Sequence, residues 1–354
     1  MAKLKVGGVG YPPYGEFFPP IVKRNYGKWV VHRYLRTGII ERVSSTGERC
    51  IVVRVLGPPN GMYSTDTIRW FVDVVDEYAE GLRVTARNSL ELVGVKPEKL
   101  DELLNLLGKE GWPIGGTGNT LHQIVCCSSF LYCQQAVIDS PSIMKAIADA
   151  LYQDFMKEGY PAKLKISISG CPNNCGEGIT ADIGIVGQFT DIPRVGSPED
   201  MKKCEIPLIV ATCPGNAIRA KQQSVEVLPE RCVHCGSCAI QCAYIDFGTP
   251  ETATANIYVG GKSSNTGSGP ALGKLAVLGL KPKPPKYEEI VECVKRIIDE
   301  WKSDAREGER IADWIDRIGW ERFYKKTGFK VNLNVIDDLY QNIVALRTDV
   351  RFRW

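Results

Sequence analysis

Two groups of cysteines are the residues of this chain best suited to chemistry. The first group joins Cys127 and Cys133, in Cys-Ser-Ser-Phe-Leu-Tyr-Cys, to Cys171 and Cys175, in Ser-Gly-Cys-Pro-Asn-Asn-Cys. Four thiolates in a C-x5-C and C-x3-C pattern suggest an iron-sulfur cluster that is placed to touch a second group. Cys126, which precedes Cys127 in the chain, is the alternative first ligand.

The second group, Cys232-Val-His-Cys235-Gly-Ser-Cys238, has the ferredoxin spacing, in which one tight loop holds three corners of a 4Fe-4S cube. Cys213, in a Cys-Pro dipeptide, and Cys242 are the candidates for the fourth ligand. The fourth cysteine of a contiguous ferredoxin run serves the other cluster, so Cys213 is favoured. A zinc site is the alternative, but it usually takes two separated C-x2-C pairs.

The composition predicts an ordinary globular protein of two or three domains, since the chain has 354 residues of which 44% are hydrophobic. A net charge of +3 with scattered basic residues argues against nucleic acid or an anionic membrane as a partner. The N-terminus lacks the apolar core of a signal peptide, and no apolar run approaches the roughly 20 residues of a membrane span. We therefore expect a cytoplasmic protein that is not embedded in a membrane.

Thirteen cysteines would suit disulfides in a small secreted protein, but here they cluster at ligand spacings in a large chain. This favours metal thiolates. The two predicted sites use eight of them and leave Cys50, Cys126, Cys204, Cys242 and Cys293. Cys293 lies in a helical apolar pattern and is expected to be a buried structural thiol. Cys242 precedes Ala243, where ferredoxins commonly have proline, and is expected to be a spare thiol.

Apolar periodicity predicts a small α+β sandwich in the N-terminal part of the chain. Its elements are a strand over 49–56, a helix over 66–80, strands over 82–95, and a helix from Pro97 to about Leu107. The buried face of the first helix would consist of Ile68, Phe71, Val72, Val75 and Tyr78.

The later part of the chain changes character where Cys, Pro and Gly become frequent, between about Cys204 and Pro250, which predicts an inserted ferredoxin module. The other predicted elements are a helix from Ser140 that buries Ile143, Ile147, Leu151 and Phe155, a glycine-rich loop from Tyr258, and helices over 287–302 and 309–324. The aromatic and basic end, Arg351-Phe-Arg-Trp354, is predicted to dock on another subunit.

Two predicted strands carry cations at alternate positions. Lys163, Lys165 and Ser167 would share one strand face beside the first cysteine group. Arg83, Thr85 and Arg87 would share another, a surface suited to several carboxylates because guanidinium groups bind them in a bidentate manner. A solvated outer face is the alternative for either strand, and the neighbouring cysteines favour the functional interpretation.

The cysteine pattern, with Gly-Cys-Pro-Asn-x-Cys followed by Ala181-Asp-Ile-Gly-Ile-Val-Gly, resembles the siroheme-and-cluster motif of sulfite and nitrite reductases. Arg83-x-Thr-x-Arg87 is similar to the segment that holds siroheme carboxylates in those enzymes. Other segments resemble the beta-subunit family of dissimilatory sulfite reductases, nearly from end to end. They are Glu16-Phe-Phe-Pro-Pro, Cys204-Glu-Ile-Pro, the inserted module, Val259-Gly-Gly-Lys, and Arg317-Ile-Gly-Trp-Glu-Arg-Phe through Ile336-Asp-Asp.

The resemblance implies an α+β fold, the sulfite-reductase siroheme fold, built of ferredoxin-like α+β halves with an inserted 4Fe-4S ferredoxin module. The implied segments are a ferredoxin-like half over 1–120, a siroheme and 4Fe-4S domain over 121–203, the ferredoxin domain over 204–252, and a continuation of the siroheme domain with a helical docking tail over 253–354. The implied reaction is the six-electron reduction of sulfite toward sulfide, or its reverse.

The resemblance also implies siroheme and two 4Fe-4S clusters as cofactors. The implied cluster ligands are Cys127, Cys133, Cys171 and Cys175 for one cluster, with Cys175 bridging to the siroheme iron, and Cys213, Cys232, Cys235 and Cys238 for the other. The implied siroheme-binding residues are Arg83, Thr85, Arg87, Asn88, Gly260, Gly261 and Lys262. The implied substrate-facing residues are Arg54, His122, Lys163 and Lys165, which in this family can also line the partner's siroheme.

The implied partners are a homologous alpha subunit in an α2β2 assembly, a small sulfur-carrier protein with a C-terminal cysteine arm, and a membrane electron-donor complex. One departure from the beta-subunit pattern is that Gly170 replaces the first residue of a Cys-Cys pair, while Cys127 is an additional upstream cysteine. This departure motivates a second hypothesis, a non-catalytic electron-transfer subunit with an inactive porphyrinoid site. A third is nitrite reduction, which uses the same pair of cofactors.

Overall fold

The computed structural model describes residues 13–232 and 234–331. The predicted docking end at Arg351–Trp354 and the Ile336 segment lie outside the described residues. The chain divides into two compact units. Described residues up to Gln123, together with Leu151–Leu164, form the first unit, and Ile124–Ala150 with the described residues from Lys165 onward form the second. The four segments implied by the family resemblance stay a prediction.

The first unit is an antiparallel sheet with helices, as predicted. Its elements up to Gln123 are α1 (Pro20–Asn25), β1 (Trp29–Arg36), β2 (Ile39–Ser44), β3 (Arg49–Val55), α2 (Thr65–Tyr78), β4 (Gly81–Val84), β5 (Leu90–Val95) and α3 (Leu100–Lys109). The strand order is β1-β2-β3-β5-β4. This order makes β5 the neighbour of both β3 and β4, and it therefore brings side chains from three strands together.

The buried face of α2 differs from the predicted one. Phe71, Val74 and Tyr78 are buried in the core of the sheet, whereas Ile68 and Val72 are each 48% exposed. The buried residues follow i, i+3 and i+7 spacing, which keeps them on a narrow stripe of the helix. The apolar arc in the sequence is wider than the stripe that this sheet can cover, so the predicted face was partly wrong.

The second unit contains a mixed sheet. The remaining elements of the chain, including α5 of the first unit, are β6 (Val125–Cys126), α4 (Ser140–Ala150), α5 (Tyr152–Met156), β7 (Ile166–Ser169), β8 (Ile183–Phe189), β9 (Arg194–Val195), α6 (Pro198–Met201), α7 (Ile206–Ala211), β10 (Ile218–Lys221), β11 (Ser224–Val227), α8 (Ser237–Gln241), β12 (Ile245–Asp246), β13 (Ala253–Val259), β14 (Lys274–Leu280), α9 (Glu288–Asp304), α10 (Ile311–Ile318) and α11 (Trp320–Thr327). The strand order of the mixed sheet is β14-β13-β8-β7-β6, in which β6, β7 and β8 are parallel neighbours and the remaining pairs are antiparallel.

The single helix predicted from Ser140 is two helices, α4 and α5, because Leu151 has non-helical backbone angles (φ −118°, ψ 23°). The predicted buried residues Ile143, Ile147, Leu151 and Phe155 are nevertheless all buried. The apolar spacing persists across the break, since each helix needs its own apolar face. Burial was thus predictable from the periodicity, while the break was not.

The predicted inserted module, together with residues just before it, has a small apolar core. That core consists of Met201, Ile209, Ile218, Val225, Cys238, Cys242 and Ile245. Its strands pair as two short ladders, β10 with β11 and β9 with β12. Within the described residues, no helix is both long and apolar enough to cross a membrane.

Candidate metal and cofactor sites

Adjacent parallel strands bring the first cysteine group together. Cys127 follows β6 and donates its N–H to the Ile168 carbonyl of β7 at 3.1 Å, and Cys171 lies two residues beyond the end of β7. Burial, with smaller contributions from the nearby Cys133, Cys127 and Cys175 thiols, raises the pKa of Cys171 to about 11. The structure therefore places all four predicted ligands in one neighbourhood.

The four thiols differ in their access to other groups. Cys171 is buried and Cys127 is half-buried, whereas Cys133 and Cys175 are exposed. Four soft thiolates with two exposed members fit an iron-sulfur cube that also faces outward. An exposed Cys175 has the access that a thiolate bridging to another metal would need.

Gly170 lies directly beside the sulfur of Cys127. The Gly170 N–H donates to Cys127 Sγ at 3.1 Å, and a Cβ placed on Gly170 would lie 3.4 Å from the same sulfur. Cys127 therefore holds its sulfur near the place that a side chain at position 170 would enter. A thiol at position 127 therefore reaches the space beside position 170, where this chain has glycine.

The second cysteine group lines a cavity in the inserted module. The lining residues are Pro193, Cys213, Ala217, Ile218, Val227, Cys232, Cys235, Gly236, Cys238 and Phe247. Burial raises the pKa of Cys238 to about 12, with further contributions from the Cys235, Cys232 and Cys213 thiols. Cys213 is thus the cysteine that joins the three from the tight loop. Among residues 13–232 and 234–331, no three His, Cys, Asp or Glu side chains are arranged to hold a single metal ion.

Cys242 is bonded elsewhere. It forms a disulfide with Cys204, with the two Cα atoms 5.7 Å apart and a sequence separation of 38. The expectation that Cys242 is a spare thiol was wrong, and the preference for metal thiolates over disulfides does not extend to this pair. Local spacing could not predict the bond, because folding of the module brings the two cysteines together.

Gln135 connects the two cysteine groups. Its amide nitrogen donates to the Cys235 carbonyl at 3.0 Å and to Ser237 Oγ at 2.9 Å, both in the loop of the second group. Its amide oxygen accepts a hydrogen bond from Asn173 Nδ2, which lies between Cys171 and Cys175. The sequence analysis missed Gln135, because nothing in its local sequence marks a residue that bridges two distant loops.

In the first unit, a buried carboxylate holds two of the predicted site arginines. Arg54 donates from Nε at 3.0 Å and from Nη2 at 2.7 Å to Glu91 Oε1, and from Nη1 at 2.9 Å to the Gly116 carbonyl. Arg83 donates to the other oxygen, Glu91 Oε2, at 2.8 Å. The Glu91 side chain is 4% exposed, while that of Arg83 is 59% exposed. The sequence analysis missed Glu91, although strand pairing places it opposite both arginines.

Arg83, Thr85 and Arg87 do not share a strand face as predicted. Strand β4 ends at Val84, and the next residues form a turn in which Asn88 has a positive φ of 61°. Thr85 serves the turn, because its carbonyl accepts from Asn88 N at 2.9 Å. Arg87 instead donates from Nε to the Gln123 carbonyl at 2.9 Å. The alternation was wrong because the turn interrupts it.

His122 lies among predicted cations of the same unit. The pKa of His122 is lowered to about 3, mainly by burial and further by the charges of Arg54, Arg87 and Lys163, while a hydrogen bond with the Gly118 carbonyl opposes this shift. The imidazole is therefore neutral at pH 7, and it donates from Nε2 to the Gly118 carbonyl at 3.2 Å, which leaves Nδ1 as an acceptor. Three cations around a neutral ring form an environment suited to an anion.

The strand predicted to carry Lys163, Lys165 and Ser167 on one face is shorter than expected, so only Ser167 of the three lies in it. Strand β7 begins only at Ile166, and it lies between β6 and β8 in the sheet, so Ser167 is 2% exposed. The backbone N–H of Lys165 donates to Asp182 Oδ2 at 2.7 Å. Both faces of an interior strand are covered in this sheet, which alternation alone could not reveal.

Lys262 is engaged inside the second unit. Its side chain is fully buried, and its ammonium donates to Asp313 Oδ1 and, at 2.6 Å, to the Thr266 carbonyl. Gly261 packs against its own chain, since a Cβ there would lie 2.4 Å from the Ala181 carbonyl oxygen. Gly260 has a positive φ of 87°. These residues hold the glycine-rich loop in place, and their implied part in siroheme binding stays a prediction.

A buried ion pair supports the strands of the second unit. Arg310 donates from Nε to Asp182 Oδ1 at 2.7 Å and from Nη2 to Asp182 Oδ2 at 2.6 Å. Asp182 is fully buried and lies just before β8, and Arg310 immediately precedes α10. Burial raises the pKa of Asp182, while Arg310 and the Lys165 N–H lower it. The motif Ala181-Asp-Ile-Gly therefore contains a structural carboxylate whose partner the sequence analysis did not find.

Comparison with known proteins gives the family. Residues 117–334 match the family described as nitrite and sulphite reductase 4Fe-4S domain, and residues 43–110 match the nitrite/sulfite reductase ferredoxin-like half domain. The chain is 35% identical to the dissimilatory-type sulfite reductase subunit beta of Archaeoglobus fulgidus, over 98% of this chain and 97% of that protein. It is 24% identical to the dissimilatory-type subunit alpha of Allochromatium vinosum, over 88% of this chain and 76% of that protein.

The fold agrees with these matches. A crystal structure of dissimilatory sulfite reductase I superposes with a TM-score of 0.78 at 19% identity, covering 87% of this chain and 78% of that chain. The α+β fold expected from the sequence is thereby confirmed. From the two domain matches and the full-length relative, we conclude that this chain belongs to the dissimilatory sulfite reductase beta subunits, oxidoreductases of the nitrite and sulfite reductase family.

Proposed function

We propose that this chain is the subunit of a dissimilatory sulfite reductase that takes part in the six-electron reduction of sulfite toward sulfide, or in the reverse reaction. The observation that carries the proposal is the convergence of four thiols, Cys127, Cys133, Cys171 and Cys175, in the segment that matches the 4Fe-4S domain. The cation-rich surroundings of His122 support an anionic substrate.

The donor set of the first cysteine group fits a 4Fe-4S cluster. We propose Cys127 over Cys126 as the first ligand, because the Cys127 sulfur lies beside Gly170, whereas Cys126 is buried in strand β6. We propose that the exposed Cys175 is the thiolate shared with siroheme. Bound siroheme would supply the iron centre that transfers electrons to a sulfur oxyanion.

The second cysteine group fits a ferredoxin-type cluster held by Cys213, Cys232, Cys235 and Cys238, which together line one cavity. We propose that this cluster passes electrons to the first. The Gln135 bridge supports this role, since it joins the loops of both groups through hydrogen bonds and so fixes their separation. A fixed separation keeps the distance for electron transfer constant.

The cations of the first unit are proposed to bind the negative charges of siroheme and sulfite. Glu91 fixes Arg54 while Arg83 keeps an exposed guanidinium, which suits it to bind a carboxylate. Arg87 and Asn88 lie in the adjoining turn, and the Thr85 hydroxyl accepts from the Ser89 N–H at 3.1 Å. We propose that this turn presents backbone and side-chain donors to siroheme carboxylates.

Neutral His122 is proposed to orient substrate and not to deliver a proton as an imidazolium. The ammonium groups of Lys163 and Lys165 are proposed to compensate the charge of the oxyanion and to supply protons as S–O bonds break. Gly260 and Gly261 are proposed to bring backbone close to the cofactor, with Lys262 holding their loop.

The proposed partner is a homologous alpha subunit in an α2β2 complex, which the likeness to a named alpha subunit supports. We further propose a cytoplasmic location and a small sulfur-carrier protein with a C-terminal cysteine arm as a second partner. Isolation of the native complex, with subunit stoichiometry from mass measurement, tests the assembly.

The proposal is tested on the native complex, purified anaerobically. We expect a siroheme absorption spectrum, about eight iron atoms per chain beyond siroheme, as two cubes require, and turnover of sulfite in preference to nitrite. The variant Cys175→Ser should lose sulfite turnover, while Cys50→Ser, at a buried thiol remote in sequence from both groups, should keep it. Turnover that survives Cys175→Ser would refute the catalytic role of this chain's site, and clusters without siroheme would make it an electron-transfer subunit.

A further inference from the structure

The inserted module contains six cysteines, of which four line the cavity proposed to hold its cluster. The other two, Cys204 and Cys242, form the disulfide. Cys242 is the fourth cysteine of the C-x2-C-x2-C-x3-C run, the one that serves the second cluster in two-cluster ferredoxins. This module lacks the other ligands of a second cluster, so Cys242 is available for different chemistry.

The disulfide encloses the ligands of the proposed cluster within one loop. Cys204 and Cys242 are 38 residues apart, and all four cavity cysteines lie between them in the sequence. Cys204 lies two residues before α7, and Cys242 follows the last residue of α8. The bond therefore joins the start of one helix to the end of another, and it limits the motion of everything between them.

The two sulfurs of the disulfide differ in accessibility, so an attacking thiolate reaches the Cys204 sulfur more easily than the Cys242 sulfur. Cys242 is 3% exposed and packs in the module core, with its sulfur 3.9 Å from the Met201 sulfur. Cys204 is half-buried at the edge of that core. A Cα separation of 5.7 Å lies within the ordinary range for disulfides, so the pair can close without movement of the backbone.

We propose that Cys204 and Cys242 are a redox-active pair, a reversible disulfide that locks the ferredoxin module around its cluster. The inference rests on the proposed function only in assuming that this module holds a cluster. The reductant is a dithiol, either a small molecule or a protein. Its thiolate attacks the Cys204 sulfur and releases the Cys242 thiolate, and its second thiol then displaces Cys204 from the mixed disulfide. The dithiol becomes a disulfide, and two electrons and two protons pass to the cysteine pair.

The first test labels thiols in the complete complex, purified anaerobically without added reductant. The complex is denatured and alkylated with iodoacetamide either directly or after native treatment with dithiothreitol, and peptides are identified by mass spectrometry. We expect Cys204 and Cys242 to resist alkylation before the treatment and to react after it. Full alkylation of both cysteines without dithiothreitol would overturn the proposal, and this measurement requires no variant to fold.

The second test measures how fast the module releases iron to a chelator. The loss of iron-sulfur absorbance reports the rate of release. Dithiothreitol should speed release about tenfold or more in the wild type, because a long loop regains its freedom. The double variant Cys204→Ser, Cys242→Ser should release iron at that faster rate with or without dithiothreitol. The control Cys293→Ser, at a buried thiol in α9 outside the module, should behave as the wild type.

Two other outcomes would overturn the lock. One is an unchanged rate of release in the double variant. The other is loss of the ferredoxin cluster in Cys242→Ser with its retention in Cys213→Ser, which would make Cys242 a cluster ligand. If the wild-type module binds no iron, the proposed function fails instead, and thiol labelling still decides whether the pair is redox-active.

Discussion

The buried ion pair between Arg310 and Asp182 allows a sharp test of how the second unit is held together. In the variant Arg310→Met, an apolar side chain of similar length replaces the guanidinium, and two hydrogen bonds of 2.7 and 2.6 Å are lost. Asp182, which is fully buried, then keeps the hydrogen bond from the Lys165 N–H but has lost both donors of the guanidinium. Removing one partner of such a pair costs about 3–5 kcal/mol of folding free energy.

The folding free energy lost in Arg310→Met should depend on pH in a defined direction. Burial raises the pKa of Asp182 and Arg310 opposes this, so the variant should have a still higher folded-state pKa. The folded state then binds a proton at pH values where the unfolded chain, with an Asp pKa near 4, has released it. Stability therefore falls as pH rises from about 4 through the folded-state pKa, and the deficit relative to wild type should be smaller at pH 5 than at pH 8.

The measurement is denaturant unfolding of the wild-type and Arg310→Met complexes at both pH values, with tryptophan fluorescence as the signal. The matched control is Arg194→Met, which removes an exposed ion pair with Asp246 and should cost no more than about 1 kcal/mol. Adding Asp182→Asn to Arg310→Met should recover part of the loss, because the unpaired charge is gone. A deficit below about 1 kcal/mol for Arg310→Met, or a deficit that grows toward low pH, would refute the reasoning.

Three further predictions concern the candidate sites. Glu91→Gln should lower kcat/KM for sulfite about tenfold or more, because it weakens the charged hydrogen bonds that hold Arg54 and Arg83. The control Glu41→Gln, at a carboxylate also paired with two arginines in the same sheet, should leave kcat/KM unchanged. Equal turnover in the two variants would exclude a positioning role for Glu91. Folding stability should fall by up to about 1.4 kcal/mol per pH unit as the pH drops below about 6.5, because the unfolded chain then binds a proton on His122, whose pKa in the folded state is near 3. The variant His122→Gln should remove this slope in unfolding experiments. An unchanged slope in the variant would contradict the lowered pKa of His122. Gln135→Leu should slow electron transfer between the two proposed clusters, measured by rapid-mixing spectroscopy. The control Gln134→Leu, at an exposed neighbouring residue, should transfer electrons at the wild-type rate. A wild-type rate in both variants would show that the Gln135 hydrogen bonds are not needed for electron transfer.

Local sequence determined the parts of this protein whose geometry is itself local. Three cysteines spaced by two residues fit one tight loop, and the C-x3-C run fits another, so the candidate ligands could be predicted without any tertiary information. The strand over 49–56 and the helix beginning near Pro97 were predictable for the same reason, since side-chain periodicity reflects the backbone of a single element.

Only the tertiary structure decided which distant residues meet. Sheet order placed Glu91 between two arginines, parallel strands set the Cys127 sulfur beside Gly170, and folding of the module joined Cys204 to Cys242. The same holds for Lys262, which the family resemblance implied as a siroheme-binding residue and whose ammonium an internal carboxylate binds. A residue type states which bonds a side chain can make, but its partner depends on contacts between segments far apart in the sequence, and only the folded chain brings those segments together.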